Sequence, residues 1–293
     1  MQREKEASNG ATVKVDRPLR GMPHPFDKLH PRMYAAEFAG TALLVFLGLS
    51  IVIAMWGHDA PFASLPISPG VRRLITGFLF GSIGAAIAFS PIGRMSGAHI
   101  NPAVTFAFWL EGKLLWRDAS FYLLAQLIGA AFGSIALLVW GATGASDTWG
   151  ASVPATGVPN WLPIAGEALC TFLLVFLIFV FAAHKATQPF TPLVNPPLFA
   201  ILTWLEAPLS GASANPARSF GPELVAPTWQ VGGSTGLAPC LVPGSRCWSC
   251  ATNICGVIGP PKPGSATSGT TVQHLSQKIS QAKALMRYAT PTS

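Results

Sequence analysis

The sequence predicts an all-α fold, a polytopic membrane bundle built as an inverted repeat with two re-entrant half-helices. Half of the 293 residues are apolar and only 11% are charged, a balance that is typical of membrane proteins. Two similar segments, "SGAHINPAVTFAFWL" at residues 96–110 and "SGASANPARSFGPEL" at residues 210–224, each follow a long apolar stretch. A membrane fold made of two related halves follows from these observations.

The apolar stretches themselves predict the membrane-spanning helices. A helix needs about 20 mostly apolar residues to cross the hydrocarbon core of a bilayer. The segments of suitable composition are residues 34–56, 74–90, 119–140, 163–183 and the shorter 196–209. They define a membrane domain at residues 34–226, with a first repeat at about 34–140 and a second at about 163–226.

Residues 1–33 are predicted to form a disordered basic tail. Lys and Arg alternate there with proline and polar residues, and no apolar stretch resembles a signal peptide. Because Lys and Arg are retained on the cytoplasmic side of short membrane-flanking segments, the N-terminus is predicted to be cytoplasmic. Only Arg72 and Arg73 then fall on the opposite side. The net charge of +7 is explained by this topology, so nucleic acid is not a predicted partner.

The repeat is visible around two glutamates. Aligning Glu37 with Glu167 superposes "EFAGTALLVFL" on "EALCTFLLVFL". If three spans separate the two glutamates, the halves enter the membrane from opposite sides, which makes the repeat inverted. A carboxylate within a span marks function or an internal hydrogen-bond network. We expect both to be buried structural groups that bind loop amides of their own halves; a proton relay is the alternative.

The Asn-Pro-Ala boxes predict two short helices. Asparagine is a strong N-cap residue, and proline suits the first helical position. Small residues precede each box, and irregular backbone at membrane depth is tolerated only where it is buried or lines a cavity. Two half-helices are therefore expected to meet N-terminus to N-terminus near the bilayer midplane. The box residues are Asn101, Pro102, Ala103, Asn215, Pro216 and Ala217.

On these residues the chain resembles the major intrinsic proteins, the aquaporin and aquaglyceroporin family. The motifs "AEFAGT", "SGAHINPAVT", "AQLIGA" and "SGASANPARSFGP" carry the resemblance, which runs over about residues 34–223. It implies six tilted helices and two half-helices around one pore per subunit, assembled as a homotetramer in the lipid bilayer. It also implies passive, single-file passage of water, without a cofactor, a metal or enzymatic activity.

The resemblance further implies the residues of the pore. Asn101 and Asn215 would donate amide hydrogens to a passing water, while the positive ends of both half-helices oppose cations and protons. His99 belongs to the segment before the first box, as a buried structural residue. Arg218 would be the fixed cation of a constriction. The other walls of this selectivity filter would be Thr203, Ala212 and Phe80. Counting back from Asn101 gives Gly81, but the loop before the box is one residue longer than is usual in the family, which favours Phe80.

The sequence leaves the permeant solute open. Ser219 fits the water-channel branch, since glycerol facilitators generally have aspartate there. Thr203 and Ala212 predict a constriction less crowded and less polar than a strict water filter, which permits small neutral solutes. The competing hypotheses are a glycerol or small-solute facilitator, a nonconducting five-span relic and a secondary transporter. Two acidic residues, Glu206 and Glu223, are unexpected in this pattern.

After residue 226 the membrane pattern ends. Residues 227–293 contain dispersed Gly, Pro, Ser and Cys and no long apolar run, so the sixth transmembrane helix is missing or degenerate. A lone C-x-x-C at Cys247 and Cys250, with no second pair, does not indicate a zinc or redox site. When residues 231–251 are back-translated with permitted codons and read two bases later, one available translation is an apolar, span-like segment. We predict a frameshift near Gln230, or else a truncated and disordered tail.

Overall fold

A computed structural model describes residues 28–226, in which all regular structure is helical. The α-helices of this range are α1 (Pro31–Trp56), α2 (Pro69–Phe89), α3 (Pro91–Ser96), α4 (Pro102–Leu110), α5 (Trp116–Ala136), α6 (Gly141–Ser146), α7 (Trp161–Ala183), α8 (Asn195–Ser210) and α9 (Pro216–Glu223). Short 3₁₀ segments cover Leu137–Trp140, Thr148–Gly150 and Gln188–Val194. The predicted all-α fold is confirmed for this part of the chain.

The membrane-spanning helices coincide with the predicted ones. Four stretches in the described range are long and apolar enough to cross a bilayer: α1, α2, α7 and the run from Trp116 to Ser146 that contains α5. The fifth predicted span corresponds to α8, which has 16 residues. The atypical segment 227–293, with its predicted frameshift and missing sixth span, lies outside the described residues.

The first helix begins inside the segment predicted as a tail. Pro31 occupies its first turn, and the backbone N–H of His30 donates to the Tyr34 hydroxyl at 3.0 Å. That hydroxyl donates in turn to Asp118 Oδ1 of α5 at 2.5 Å, and a ring nitrogen of His30 lies 3.1 Å from the same oxygen. These contacts at the start of α5 hold the first turn of α1 in place, so only residues before it remain outside the helix.

Capping side chains define where the helices next to the pore begin. The Ser68 hydroxyl accepts a hydrogen bond from the Val71 N–H at the start of α2. The side chains of Asn101 and Asn215 do the same for α4 and α9, and a proline follows each of them. Asparagine satisfies otherwise unpaired helix N–H groups, and proline has no N–H to leave unpaired. The predicted half-helices are thus confirmed at Pro102 and Pro216.

The two halves run in opposite directions through the bundle. One internal cavity is bordered by the end of α7 and the start of α8, and another by the ends of α1 and α8. Helix α1 therefore ends at the face of the bundle from which α7 begins. The half-helices α4 and α9 start close together, with cross-contacts between their N-caps. This is the predicted inverted repeat with two re-entrant half-helices.

Glycines bring the long helices into close contact. A Cβ atom on Gly77 of α2 would lie 2.2 Å from the carbonyl oxygen of Phe199 in α8, and one on Gly81 would lie 2.5 Å from that of Asn195. The same relation recurs between α5 and α1, where a Cβ on Gly129 would lie 2.3 Å from the Phe38 oxygen. Small residues at helix interfaces allow backbones to approach closely in membranes. These contacts fix the spacing of the helices around the pore.

Candidate pore

Two adjoining cavities of about 310 Å³ each lie inside the bundle. The cavity that we name the box cavity is lined by Asn101, Asn215, His99, Gln188 and Asn195, among others. The second, named the arginine cavity, is lined by Arg218, Thr203, Ala212, Arg73 and Asp147, among others. Phe80 and Phe199 line both cavities. The two cavities therefore adjoin at these two aromatic rings.

The segments in front of the boxes, residues 97–100 and 211–214, have matching and unusual backbones. Gly97 and Gly211 have φ values of 89° and 95°. Ala98 and Ile100 have φ values of 50° and 40°, and the equivalent Ala212 and Ala214 have values of 50° and 48°. Left-handed conformations are uncommon for residues with side chains, above all β-branched ones, and mark sites that the surrounding structure must hold in place. We call these two segments the leaders.

The two repeat glutamates hold the leaders. Glu37 Oε1 accepts from the His99 N–H at 3.0 Å, and its Oε2 accepts from the Ile100 N–H at 2.7 Å. In the second half, Glu167 accepts from the N–H groups of Ser213 and Ala214, both at 2.8 Å. Both glutamates are fully buried. Each carboxylate thus uses both oxygens on the leader of its own half.

Neighbouring polar groups complete each glutamate site differently. Gln126 of α5 donates to Glu37 Oε2 at 2.7 Å and to Thr105 Oγ1 at 2.9 Å. A ring nitrogen of His99 also lies 3.2 Å from Thr105 Oγ1, and the His99 ring packs against Phe108. On the second side, the Ser210 hydroxyl donates to Glu167 Oε1 at 2.5 Å. The first half therefore relies on a glutamine from another helix, and the second on the serine just before its own leader.

The box asparagines tie the two halves together. Asn101 Oδ1 accepts from the Ala103 N–H at 2.9 Å, and Asn215 Oδ1 accepts from the Ala217 N–H at 3.0 Å. Asn101 Nδ2 donates to the Ala214 carbonyl, and Asn215 Nδ2 donates to the Ile100 carbonyl, both at 2.9 Å. An amide group carries two hydrogens, so each asparagine keeps one hydrogen for another acceptor. Both residues line the box cavity.

Phe80 forms a wall between the cavities. Its ring packs over Gly48 of α1, where a Cβ atom would lie only 2.5 Å from the ring. The centroid of the Phe199 ring is 5.5 Å away. Gly81, the alternative by spacing, lines only the box cavity, whereas Phe80 lines both. One helical turn away, Gly77 lies beside the Thr203 hydroxyl on the arginine cavity.

Arg218 is buried at the wall of the arginine cavity. Its exposed fraction is 5%, and its guanidinium Nη1 donates to the hydroxyl of Ser152. Thr203, Ala212 and Phe80 line the same cavity. The structure therefore brings the four predicted filter residues to one cavity. Arginine is always charged and offers a planar set of donors, so this wall carries a fixed positive charge.

The loop that supports Arg218 has a distorted backbone. Thr148, Trp149 and Gly150 have φ values of 47°, 57° and 70°, so three consecutive residues are left-handed. The buried Trp149 side chain packs tightly against Gly144, and Gly150 lies against Leu49 of α1. This anchorage places Ser152 at Arg218. Burial raises the pKa of Asp147, at the start of this loop, to about 7, and the Arg218 charge opposes that rise.

The two unexpected carboxylates are buried. Both carboxylate oxygens of Glu206 accept no hydrogen bond from residues 28–226, and its side chain packs against Gly166 of α7. Glu223 Oε1 is likewise buried without a partner in that range. Glu206 lies close to the Ser210 side chain and the Ala212 backbone N–H, without the two leader bonds that Glu167 makes. Nothing in the described part of the chain explains either residue.

Sequence reasoning missed several residues of this site. Asp147 and Ser152 lie in a loop without a motif, and only the fold brings them to Arg218. Phe199 lies four residues before Thr203, so the helical repeat of α8 could have placed it on the same wall. Gln126 stands in the motif "AQLIGA", and a polar side chain in an apolar span was the signal for it.

Comparisons with known proteins match this geometry. The family model described as "Major intrinsic protein" matches residues 28–232. The chain is 36% identical over 200 residues to Aquaporin AqpM of Methanothermobacter marburgensis, a match that covers 64% of this chain and 81% of that protein. It is 32% identical over 197 residues to the Glycerol uptake facilitator protein-like 6 of Lactiplantibacillus plantarum, covering 67% of this chain and 84% of that protein.

A solved structure shares the fold. The X-ray structure of the aquaglyceroporin from Plasmodium falciparum matches with a TM-score of 0.62 at 19% sequence identity. The match covers 78% of this chain and 98% of that one. The predicted arrangement of spans and half-helices is therefore that of a known membrane fold.

Proposed function

Because this chain belongs to the major intrinsic protein family, we propose that it is a passive channel that conducts water in single file and admits small neutral solutes. The family resemblance predicted from the paired boxes is confirmed, and members of this family are channels, not enzymes. The chain is accordingly an integral, multi-pass membrane protein. We propose in addition that its N-terminus is cytoplasmic and that it forms a homotetramer.

The observation that carries the proposal is the junction between the two half-helices. Asn101 and Asn215 reach across to the carbonyls of Ala214 and Ile100, and both asparagines line the box cavity. The remaining amide hydrogens are available to a water oxygen. Helix N-termini carry a partial positive charge, so two of them oriented at one point turn the water dipole and oppose cations and protons.

The arginine cavity supplies the proposed selectivity filter. Arg218 would donate to the oxygen of an entering molecule and repel cations, while Phe80 limits the width. Thr203 and Ala212 add little bulk. A constriction that carries fixed positive charge and small side chains passes neutral molecules according to their size and hydrogen-bonding groups.

A second candidate is a facilitator for glycerol or a similar small solute. Thr203 and Ala212 contribute only small side chains to the arginine cavity, which leaves room there for such a solute. The similarity to a glycerol uptake facilitator supports the same candidate. Ser219, at a position where glycerol facilitators generally have aspartate, favours water. Flux measurements distinguish both channel candidates from a nonconducting five-span relic and from a secondary transporter.

Stopped-flow measurements on reconstituted vesicles test the proposal. A channel gives water flux with low activation energy and without saturation, whereas a transporter saturates and responds to ion gradients. We expect the double variant Asn215→Asp with Arg218→Ala to lose most of the flux, because it changes both the junction and the filter. Asn160→Asp, at an exposed position before α7, is the matched control. Equal flux in the double variant and the control would refute the channel assignment.

A further inference from the structure

We propose that Asp147 is a specificity-determining residue of the arginine cavity, where its carboxylate accepts hydrogen bonds from hydroxyl-bearing neutral solutes beside the donor Arg218. The solute class is small polyols, for which glycerol serves as the probe. This inference rests on the proposed channel function and extends it to a residue outside the Asn-Pro-Ala boxes and the predicted filter.

The first support is the position of Asp147. It lines the arginine cavity together with Arg218, Thr203 and Ala212. Its Oδ2 atom is buried and accepts no hydrogen bond from residues 28–226. Buried carboxylate oxygens are normally hydrogen-bonded, so one without a partner beside a cavity indicates capacity for a ligand.

The second support is the construction of the loop. Residues 148–150 hold a left-handed backbone, anchored by the buried Trp149 ring. Such backbone costs free energy and persists where the surrounding structure enforces it, often at binding sites. The Ala155 N–H also donates to the Leu209 carbonyl at 2.8 Å, which ties the loop to α8. The loop therefore presents both Asp147 and Ser152 to Arg218.

The third support is complementary hydrogen bonding. The Arg218 guanidinium has donors only, so it can bind the oxygens of a polyol but not its hydroxyl hydrogens. An ionised Asp147 has acceptors only and supplies the missing half. A polyol that enters the constriction loses the water around several hydroxyls at once and needs protein groups to replace those hydrogen bonds. A water molecule in single file keeps hydrogen bonds to the water molecules before and behind it. Loss of the Asp147 acceptor should therefore reduce polyol flux more than water flux.

The charge of Asp147 depends on its surroundings. Burial raises the pKa of this carboxyl to about 7 and the Arg218 charge opposes the rise, so below neutral pH the charged acceptor becomes a neutral carboxyl that accepts more weakly. The charged and titratable groups on the surrounding elements are Arg72 and Arg73 of α2, Glu206 of α8, Arg218 and Glu223 of α9, and His58 and Asp59 of the loop before α2. His58 contacts the segment that leads into Asp147. Its backbone N–H donates to Ser146, next to Asp147, while its side chain is 84% exposed.

The test compares glycerol and water permeability of the full-length protein in vesicles, with equal pH on both sides. In the wild type the glycerol-to-water ratio should fall as the pH decreases through about 7. Asp147→Asn, which is neutral and of the same shape, should show a ratio about tenfold lower at pH 8 and no pH dependence, because the charged acceptor is replaced by a neutral amide oxygen that accepts more weakly. Asp147→Glu should restore the dependence. An unchanged ratio in Asp147→Asn would overturn the proposal.

Two further measurements separate the possible failures. His58→Gln should keep the wild-type pH profile, and loss of the profile in this variant would assign it to His58 instead. Infrared difference titration in detergent should show a protonated carboxyl band near neutral pH that Asp147→Asn lacks. Absence of that band overturns the inference even if the channel conducts. Absence of all flux in correctly inserted protein refutes the channel function, while the band still reports on Asp147.

Discussion

Single carboxylates determine the shape of the pore backbone. Glu37 and Glu167 are the acceptors for the leader N–H groups, and each serves two consecutive residues next to a box. The residues so held include Ile100, a β-branched residue in the left-handed region. Neither glutamate is among the residues that line the box cavity or the arginine cavity. The two glutamates keep the leaders in a conformation that the chain would otherwise leave.

Glu37→Gln should destabilise the protein by about 3 kcal/mol, because a charge-assisted acceptor is replaced by an amide whose NH₂ faces a leader N–H. The thermal unfolding midpoint in detergent should fall accordingly. Asp59→Asn is the control, since the Asp59 side chain is 90% exposed. A midpoint for Glu37→Gln equal to that of the control would contradict this structural role.

Site residues that lie in the repeated motifs could be predicted from the sequence. Residues that reach the site only because of the tertiary fold could not. Asparagine followed by proline predicts a helix start by local chemistry alone, so the first residues of α4 and α9 were found. Asp147 and Ser152 had no such signal. Their place beside Arg218 depends on a left-handed turn that buried Trp149 stabilises, and packing of this kind is invisible in local sequence.

Among the elements, the contact between α2 and α8 controls the width of the path. The two helices carry Phe80 and Phe199, which line both cavities. Their backbones approach through Gly77 and Gly81, which leave no room for a side chain. The apolar sequence was enough to assign α2 as a span. It did not show which side of α2 faces the cavities, because that depends on how α2 packs against its neighbours. Spacing from the box allowed Gly81 or Phe80, and they are distinguished by their places in the fold: Phe80 packs against Gly48 and lines both cavities, whereas Gly81 lines only the box cavity.

Gly77→Ala should push α2 and α8 apart, because the added methyl would lie 2.2 Å from the Phe199 carbonyl oxygen. We expect a loss of about 1–3 kcal/mol of stability, as for other overpacked sites, and a lower unfolding midpoint. Gly84→Ala is the matched control, since its nearest contacts would lie at 3.8 Å. If both variants unfold at the wild-type temperature, the close contact does not hold the helices.

The loop between α5 and α7 differs most from the sequence-based expectation. The predicted spans end at residue 140 and begin again at residue 163, so residues 141–162 were expected to form only a loop. They contain α6 and the 3₁₀ turn at Thr148–Gly150. Arg72, one of the two cations that contradict the charge rule, donates to the carbonyls of Met55, Phe62 and Leu65. Arg72 thus holds the loop between α1 and α2 in place by these hydrogen bonds. This structural role explains the position of Arg72 whichever side of the membrane it lies on.

For the molecule as a whole, the two halves are unequal. In the first half α5 packs along α1. Of the 18 consecutive residues of α1 that are most apolar, half are buried. The equivalent window of α7 is only 33% buried. By the symmetry of the repeat, α7 should have a partner comparable to α5, and no helix of residues 28–226 takes that place. The unequal burial indicates where a sixth span would pack.

Sequencing the coding DNA across codons 228–252 should reveal one additional base near the Gln230 codon. Expression of the restored frame should then give a larger monodisperse fraction in detergent than the chain as written, because α7 gains its partner. A confirmed present frame, together with normal insertion and water flux of the chain as written, would contradict the frameshift. It would mean that five spans suffice for this channel.

The crossed asparagine bonds have a consequence for synthesis. The bond from Asn101 to Ala214 joins residues 113 positions apart, and the bond from Asn215 to Ile100 joins residues 115 apart. When the first box leaves the ribosome, its partner carbonyl has not yet been translated. Until then the Asn101 side-chain amide lacks its Ala214 partner. Contacts between residues so far apart in sequence form slowly and at a high cost in chain entropy. The two half-helices can therefore join only after both halves of the chain have been synthesised.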